Sequence, residues 1–304
     1  MGCGAPVTTA STATVVGAIA HRSRRSVPAV LGVAPFAVYV LLFLAVPTAL
    51  AVASGFQDAQ GRFTFSNLQI LGDSAVLSAF GASLSLSAIT AVTGALLGAA
   101  ICWALLGLNP RGVVRTAVDA AASVLAQFGG VMLAFAFIAT IGAQGMITTF
   151  LAGVGISLYS DGVWLYQLPG LVLPYLYFQV PLMVLTFLPA LEGLRPEWAE
   201  ANAVLGGGAV SYWFRVAVPL LAPSFFGSVL LLFANALSSF ATAAALMSQG
   251  TSIVPLQIRA ALVSETVLGR ENVAGALALG MLIVMVALMS GYALLQRRAR
   301  RWQR

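Results

Sequence analysis

Catalysis and metal binding draw on a small set of side chains, and this chain is short of nearly all of them. Its 304 residues hold one histidine, His21, two cysteines, Cys3 and Cys102, and nine carboxylates; all fifteen basic residues are arginine. One histidine in a basic tail leaves no Ser–His couple and no histidine-based metal site. Without lysine there is no Walker-type phosphate loop, and two cysteines in unrelated settings form neither a disulfide framework nor a zinc spacing. The carboxylates are more informative. Three of the nine, Glu192, Glu197 and Glu200, fall between Glu192 and Pro223. Pro196 can open a helix that runs through Glu200 to Leu205, and Gly206, Gly207 and Gly208 stop it. A second short helix, Ala209 to Val216, is expected before Pro219. A helix, a glycine turn and a helix form a docking element, not a catalytic one.

Composition places that element between membrane spans. The chain is 60% hydrophobic and 8% charged, against about 25% charged in soluble domains. Six runs reach the roughly 20 apolar residues a bilayer core requires: about Ala29 to Ala53, Ala79 to Leu106, Val118 to Ile141, Leu168 to Leu191, Ala217 to Met247 and Val273 to Leu295. The first run follows His21, Arg22, Arg24 and Arg25, and is too long for a signal-peptide core. Residues 1–27 are expected to be a flexible basic tail, 28–296 a six-helix domain and 297–304 a basic tail. The net charge of +6 does not indicate nucleic acid, because the arginines follow the membrane topology. Twelve fall in the termini and alternate loops, including Arg111, Arg115, Arg195 and Arg215, and three (Arg62, Arg259, Arg270) fall opposite. The positive-inside rule then puts both termini and the Glu200 loop in the cytoplasm.

The spans themselves are polar without being charged. No Asp, Glu, Lys or Arg falls in the middle of any, although proton relays and ion-coupled carriers keep ionisable groups there. Energy is therefore expected from another subunit. The second span carries Ser83, Ser87, Thr90, Gly94 and Gly98 at helical spacing, and the fifth carries Ser224, Ser228, Asn235, Ser239 and Thr242 on one expected face. Small and hydroxyl residues serve close helix packing or line a pathway. Gln127, Gln179, Asn235, Ser239 and Thr242 are the candidate pathway residues. Pro169, Pro174, Pro181 and Pro189 are expected to kink the fourth span, which leads into the Glu200 loop.

Glu200-Ala201-Asn202, Gly206, Val216 and Pro219 resemble the EAA loop of bacterial ABC importer permeases: E-A-A, three residues, G, nine residues, a hydrophobic, one residue, L-P. Asn202 stands for the third-position alanine and Val218 for the leucine. Tyr39, Leu41, Leu42, Phe43 and Pro47 are similar to the family's first span. The resemblance implies an all-α membrane protein with six transmembrane helices and the type I ABC importer permease architecture, in the bacterial inner membrane. It implies that Glu200, Ala201, Asn202, Gly206 and Pro219, within a coupling loop of about 192–219, dock an ATPase subunit. It further implies a second permease subunit (a heterodimer favoured), an extracytoplasmic substrate-binding protein, and ATP and Mg bound by partner subunits, with no cofactor in this chain. The stretches 128–135 and 274–281 are closer to the spermidine/putrescine and aminoethylphosphonate type than to the sugar type. The alternatives are a sugar importer permease and a membrane sensor subunit that transports nothing.

Overall fold

The computed structural model describes residues 27–58, 60–109, 111–160, 162–247, 253–263 and 270–302. Residues 1–26 and 303–304, with the terminal basic clusters expected there in part, lie outside the described residues. The chain divides into two compact units, Met1–Ala49 and Leu50–Arg304. The first holds α1 (Val27–Val40), a π turn (Leu41–Ala45) and the start of α2 (Val46–Ser54). Its apolar surface is exposed, and Tyr39 and Phe43 pair there with ring centroids 5.1 Å apart.

In the second unit a 3-10 turn (Ser66–Gly72) leads into α3 (Ser74–Leu106), capped by the Asp73 carboxylate, which accepts from the Ala75 N–H at 2.9 Å. α4 (Val113–Leu125), α5 (Gly130–Ile141) and α6 (Met146–Gly153) follow, then α7 (Val172–Glu192), α8 (Pro196–Val204) and α9 (Ala209–Tyr212). A π turn (Trp213–Ala217) joins α9 to α10 (Val218–Ser238); α11 (Ala241–Leu246), α12 (Val254–Val263) and α13 (Arg270–Trp302) complete the order. Among the described residues, six helical runs are long and apolar enough to cross a membrane: Gly32–Ser54, Ser74–Leu106, Gly130–Gly153, Leu168–Glu192, Ala209–Ser238 and Asn272–Leu294.

Three expectations are corrected. The third span is not one helix from Val118 to Ile141. α4 ends at Leu125 and α5 starts at Gly130, whose φ of +75° is one that only glycine adopts cheaply. The fifth run also breaks: Ser239 is extended (ψ 104°), so Ser239 and Thr242 leave the helical face that holds Ser224, Ser228 and Asn235. The expected second helix of the coupling loop does not stop before Pro219 but runs into α10 through a π turn.

That π turn has a counterpart in the first unit. The Val46 N–H bonds to the Leu41 carbonyl and the Val218 N–H to the Trp213 carbonyl, each five residues back, and each valine precedes a proline. A proline ring clashes with the carbonyl four residues before it and offers no N–H. Widening the preceding turn by one residue moves the obstructing carbonyl aside and keeps the helix running.

The small-residue stripe of α3 is a packing seam. Ser83, Ser87, Thr90, Gly94 and Gly98 are all buried. A Cβ on Gly98 would lie 2.5 Å from the Met183 Cβ, and one on Gly94 3.1 Å from the Gln179 Cβ. Glycine here lets the α3 and α7 backbones meet. Around this seam the buried side chains form successive clusters. One, with Ala91, Cys102, Phe187, Leu191 and Leu221, surrounds the end of the bundle that carries α8. Another gathers Leu86, Leu133, Tyr175, Ala236 and Leu246 at the helix breaks, and a third, with Val76, Val254 and Leu277, lies at the far end.

Candidate functional site

The loop around Glu200 is built as a rigid projection. Arg195 is extended, Pro196 takes the first helical position, and Glu197 lies in the first turn, where a negative charge suits the helix dipole. At the other end the Gly207 N–H bonds to the Asn202 carbonyl at 2.8 Å and the Gly206 N–H to the Ala203 carbonyl at 2.9 Å. With φ of +79° at Gly206, this is a complete Schellman stop. Asn202, the departure from the E-A-A pattern, is occupied: its Nδ2 donates to the Gly208 carbonyl at 3.2 Å and its Oδ1 accepts from the Ser211 hydroxyl at 3.3 Å. A Cβ on Gly207 would collide with the Asn202 side chain. The asparagine thus ties α8 to α9 across the turn.

Nothing in α8 is buried. Glu200 and Ala201 are exposed, and Val204 and Leu205 are each 88% exposed, with Val210 (72%) and Phe214 (73%) further along. Apolar side chains left exposed together at the end of a polar helix are the kind of patch that marks a contact surface. Pro219 sits at the start of α10, beyond the π turn, where it sets the angle at which the loop rejoins the span.

The candidate pathway residues fall into two groups. Gln179 is fully buried in the α3–α7 seam, where its Nε2 donates to the Thr90 hydroxyl at 2.9 Å; its Oε1 has no hydrogen-bond partner among the described residues. The others cluster at the helix breaks. The Thr242 Oγ accepts from the Gly130 N–H at 3.0 Å and donates to the Gly130 carbonyl at 3.2 Å, so the break before α5 is joined to α11. The Tyr175 hydroxyl donates to the Ser239 carbonyl at 2.9 Å, securing the end of α10. Asn235 and Ser239 are half-buried, while Gln127 is exposed in the segment that separates α4 from α5.

One constellation escaped the sequence reading. Arg115, counted there as a loop charge, is 5% exposed. Its Nε faces the Asp119 carboxylate at 3.1 and 3.3 Å, one terminal nitrogen donates to the Leu105 carbonyl at 3.4 Å, and the other bonds to the Glu192 carboxylate. Burial lowers the guanidinium pKa, but the hydrogen bonds and charges of Asp119 and Glu192 more than offset it and leave the pKa above its ordinary value. The four-residue spacing of Arg115 and Asp119 on a helix was visible. Glu192, 77 positions away, carried no local signal.

Six spans, helices broken between Leu125 and Gly130 and again at Ser239, and an exposed helix–glycine–helix loop define an all-α membrane protein with the architecture of the ABC importer permeases. The chain superposes on a chain of a bacterial ABC transporter involved in the import of the acidic polysaccharide alginate (TM-score 0.73, 16% identity, 90% of this chain and 96% of that one). No protein-family model matches the chain. Among curated proteins it is similar to the probable sulfate transport system permease protein cysT of Nephroselmis olivacea, 25% identical over 66% of this chain and 67% of that protein. It is also similar to the sulfate permease CysT of Salmonella typhimurium (24%, 73% and 76%) and the molybdenum permease ModB of Azotobacter vinelandii (26%, 54% and 70%). These relatives are named for sulfate and molybdenum, not for the polyamine or aminoethylphosphonate that residues 128–135 and 274–281 suggested.

Proposed function

We propose that this chain is the permease subunit of an ABC importer for a small tetrahedral oxyanion, driven by a separate ATPase that docks on the Glu200 loop. The observation that carries the importer reading is the projecting α8: a helix with no buried residue, stopped by a Schellman turn and edged by Val204 and Leu205. In this reading Glu200 makes the polar contact with the ATPase, Gly206 forms the turn, and Asn202 and Pro219 hold the loop at a fixed angle. Nucleotide-driven closure of the ATPase then favours one of two permease conformations. A second permease subunit completes the pathway, a partner copy of different sequence being favoured, and an extracytoplasmic binding protein delivers the substrate. One of the matching alginate transporter structures is a complex with a periplasmic protein, which supports that kind of partner. ATP and Mg belong to the ATPase.

The substrate class rests on the relatives named above and on charge. In the apolar runs the only carboxylate is Glu192, at the very end of one of them and engaged by Arg115. A polyamine would find no free carboxylate in these runs to pair with its charges, whereas an oxyanion would meet no like charge in their middle. The aminoethylphosphonate expectation shares the oxyanion chemistry. The test is reconstitution of the chain with its co-encoded partners and binding protein, followed by ATP-dependent uptake of labelled sulfate, molybdate, aminoethylphosphonate, spermidine and maltose. Uptake confined to the oxyanions is expected. Uptake of spermidine or maltose alone overturns the substrate class, and a chain that binds no ATPase overturns the importer reading in favour of a sensor.

A further inference from the structure

We propose that α4 is the lever that carries movement of the docked α8 to the helix breaks of the pathway, and that buried Arg115 is its bearing. This rests on the importer reading and goes beyond it, since it assigns a positioning role to Arg115 and α4, which lie outside the coupling loop.

The argument follows the chain. Glu192 is the last residue of α7, and only Gly193, Leu194 and Arg195 separate it from α8. A displacement of α8 therefore acts first on the Glu192 end of α7. There Arg115, in the first turn of α4, joins three elements: α7 through Glu192, α4 through Asp119, and the end of α3 through the Leu105 carbonyl. A planar guanidinium presents five donors in a fixed fork, so it holds three partners at once in set directions. Arg115 is buried while the side chains of Asp119 and Glu192 are each 46% exposed, so the carboxylates keep contact with water and the guanidinium depends on these partners for its hydrogen bonds.

Beyond the bearing, α4 packs on α7 through buried Ala122, and an open groove of about 480 Å³ runs beside that contact, lined by Val118, Leu125, Phe137, Leu176, Val180 and Pro181. The lining is almost wholly apolar, so no directional bond fixes the distal part of α4 in one position. Thirteen residues make α4 about 20 Å long. Its far end passes into residues 126–129 and then Gly130, whose N–H and carbonyl are both held by Thr242 of α11. A firm bearing at one end, an open apolar seam along the body and a hydrogen-bonded tie to the pathway break at the other are the parts of a lever.

The test uses the complete transporter reconstituted in nanodiscs, with Cys3→Ser in the parent and spin labels attached at Val124→Cys on α4 and Val286→Cys on α13. Both positions are exposed, and Cys102 is fully buried. In the parent, vanadate trapping of nucleotide is expected to shift the label–label distance, and loaded binding protein to stimulate hydrolysis. Arg115→Met is expected to abolish the shift and cut the stimulation about tenfold while the ATPase stays bound, because its carboxylate partners are already half in water. Glu192→Gln is expected to do the same, the double variant to be no worse than either single one, and Arg115→Lys to recover part of both. Non-additivity of this kind marks residues acting as one unit. A parent distance unmoved by trapping, parent-like shift and coupling in Arg115→Met and Glu192→Gln, or effects that add in the double variant would each overturn the lever. Loss of ATPase binding in both single variants overturns it too, since the cluster would then only shape the docking face. A parent chain that binds no ATPase overturns the importer reading together with the lever.

Discussion

At the scale of single residues, the candidate site depends on backbone conformation more than on chemistry. Gly206 is needed because its φ is +79°, a region that costs an ordinary residue about 1–2 kcal/mol. Gly206→Ala is expected to weaken ATPase binding by about tenfold, measured by titrating the ATPase onto the detergent-solubilised permease. Glu200 acts differently: it is exposed and supports nothing in its own fold, so Glu200→Ala is expected to leave the melting temperature unchanged and to reduce co-purification of the ATPase or coupling of hydrolysis to uptake. Wild-type transport and coupling in that variant would remove Glu200 from the docking site. Gly98 is a third kind of glycine, required by space rather than by φ. With Met183 2.5 Å from where its Cβ would be, Gly98→Val is expected to destabilise the α3–α7 seam by about 1–3 kcal/mol, as overpacked cores do, seen as a lower melting temperature.

At the scale of elements, the breaks matter more than the helices. A continuous span satisfies its own backbone, but a broken one leaves N–H and carbonyl groups that need partners in the membrane. Thr242 is such a partner, since one hydroxyl serves both the N–H and the carbonyl of Gly130. Thr242→Val preserves shape and removes the hydroxyl, leaving the part-buried Gly130 N–H, a donor that a helix start cannot pair for itself, without its acceptor. The expected loss is about 1–3 kcal/mol, measurable by thermal unfolding, with a fall in transport larger than the fall in stability accounts for. The paired π turns before Pro47 and Pro219 show the opposite case, in which a helix accommodates a proline by widening one turn instead of breaking.

At the scale of the whole molecule, the proposed importer draws its energy from a separate ATPase, and the exposed α8 offers the surface through which that energy would arrive. The exposed apolar side chains of the first unit, among them Phe36 and Phe43, suit lipid or a partner permease. Purification from the native host in mild detergent is expected to bring an ATPase and a second permease with this chain, identified by mass spectrometry.

The sequence by itself determined the all-α membrane fold class, the six apolar runs and the helix–glycine–helix form of the Glu200 loop. Each depends on local properties: apolar runs of bilayer length, a proline at a helix start, glycines at its stop. The small-residue stripe on α3 was visible as well, but its choice between packing and pathway was not, because that depends on what lies opposite; Met183 and Gln179 of α7 lie there. Only the tertiary structure decided where the third and fifth spans break. Hydropathy passes smoothly through Gln127 and Ser239, and a break inside a membrane persists only where distant groups such as Thr242 and Tyr175 satisfy the freed backbone. The Arg115 cluster is the clearest case. Arg115 and Asp119 announce a helical pair, but a buried guanidinium is stable only when all its partners converge, and Glu192 reaches it through the packing of α4 on α7.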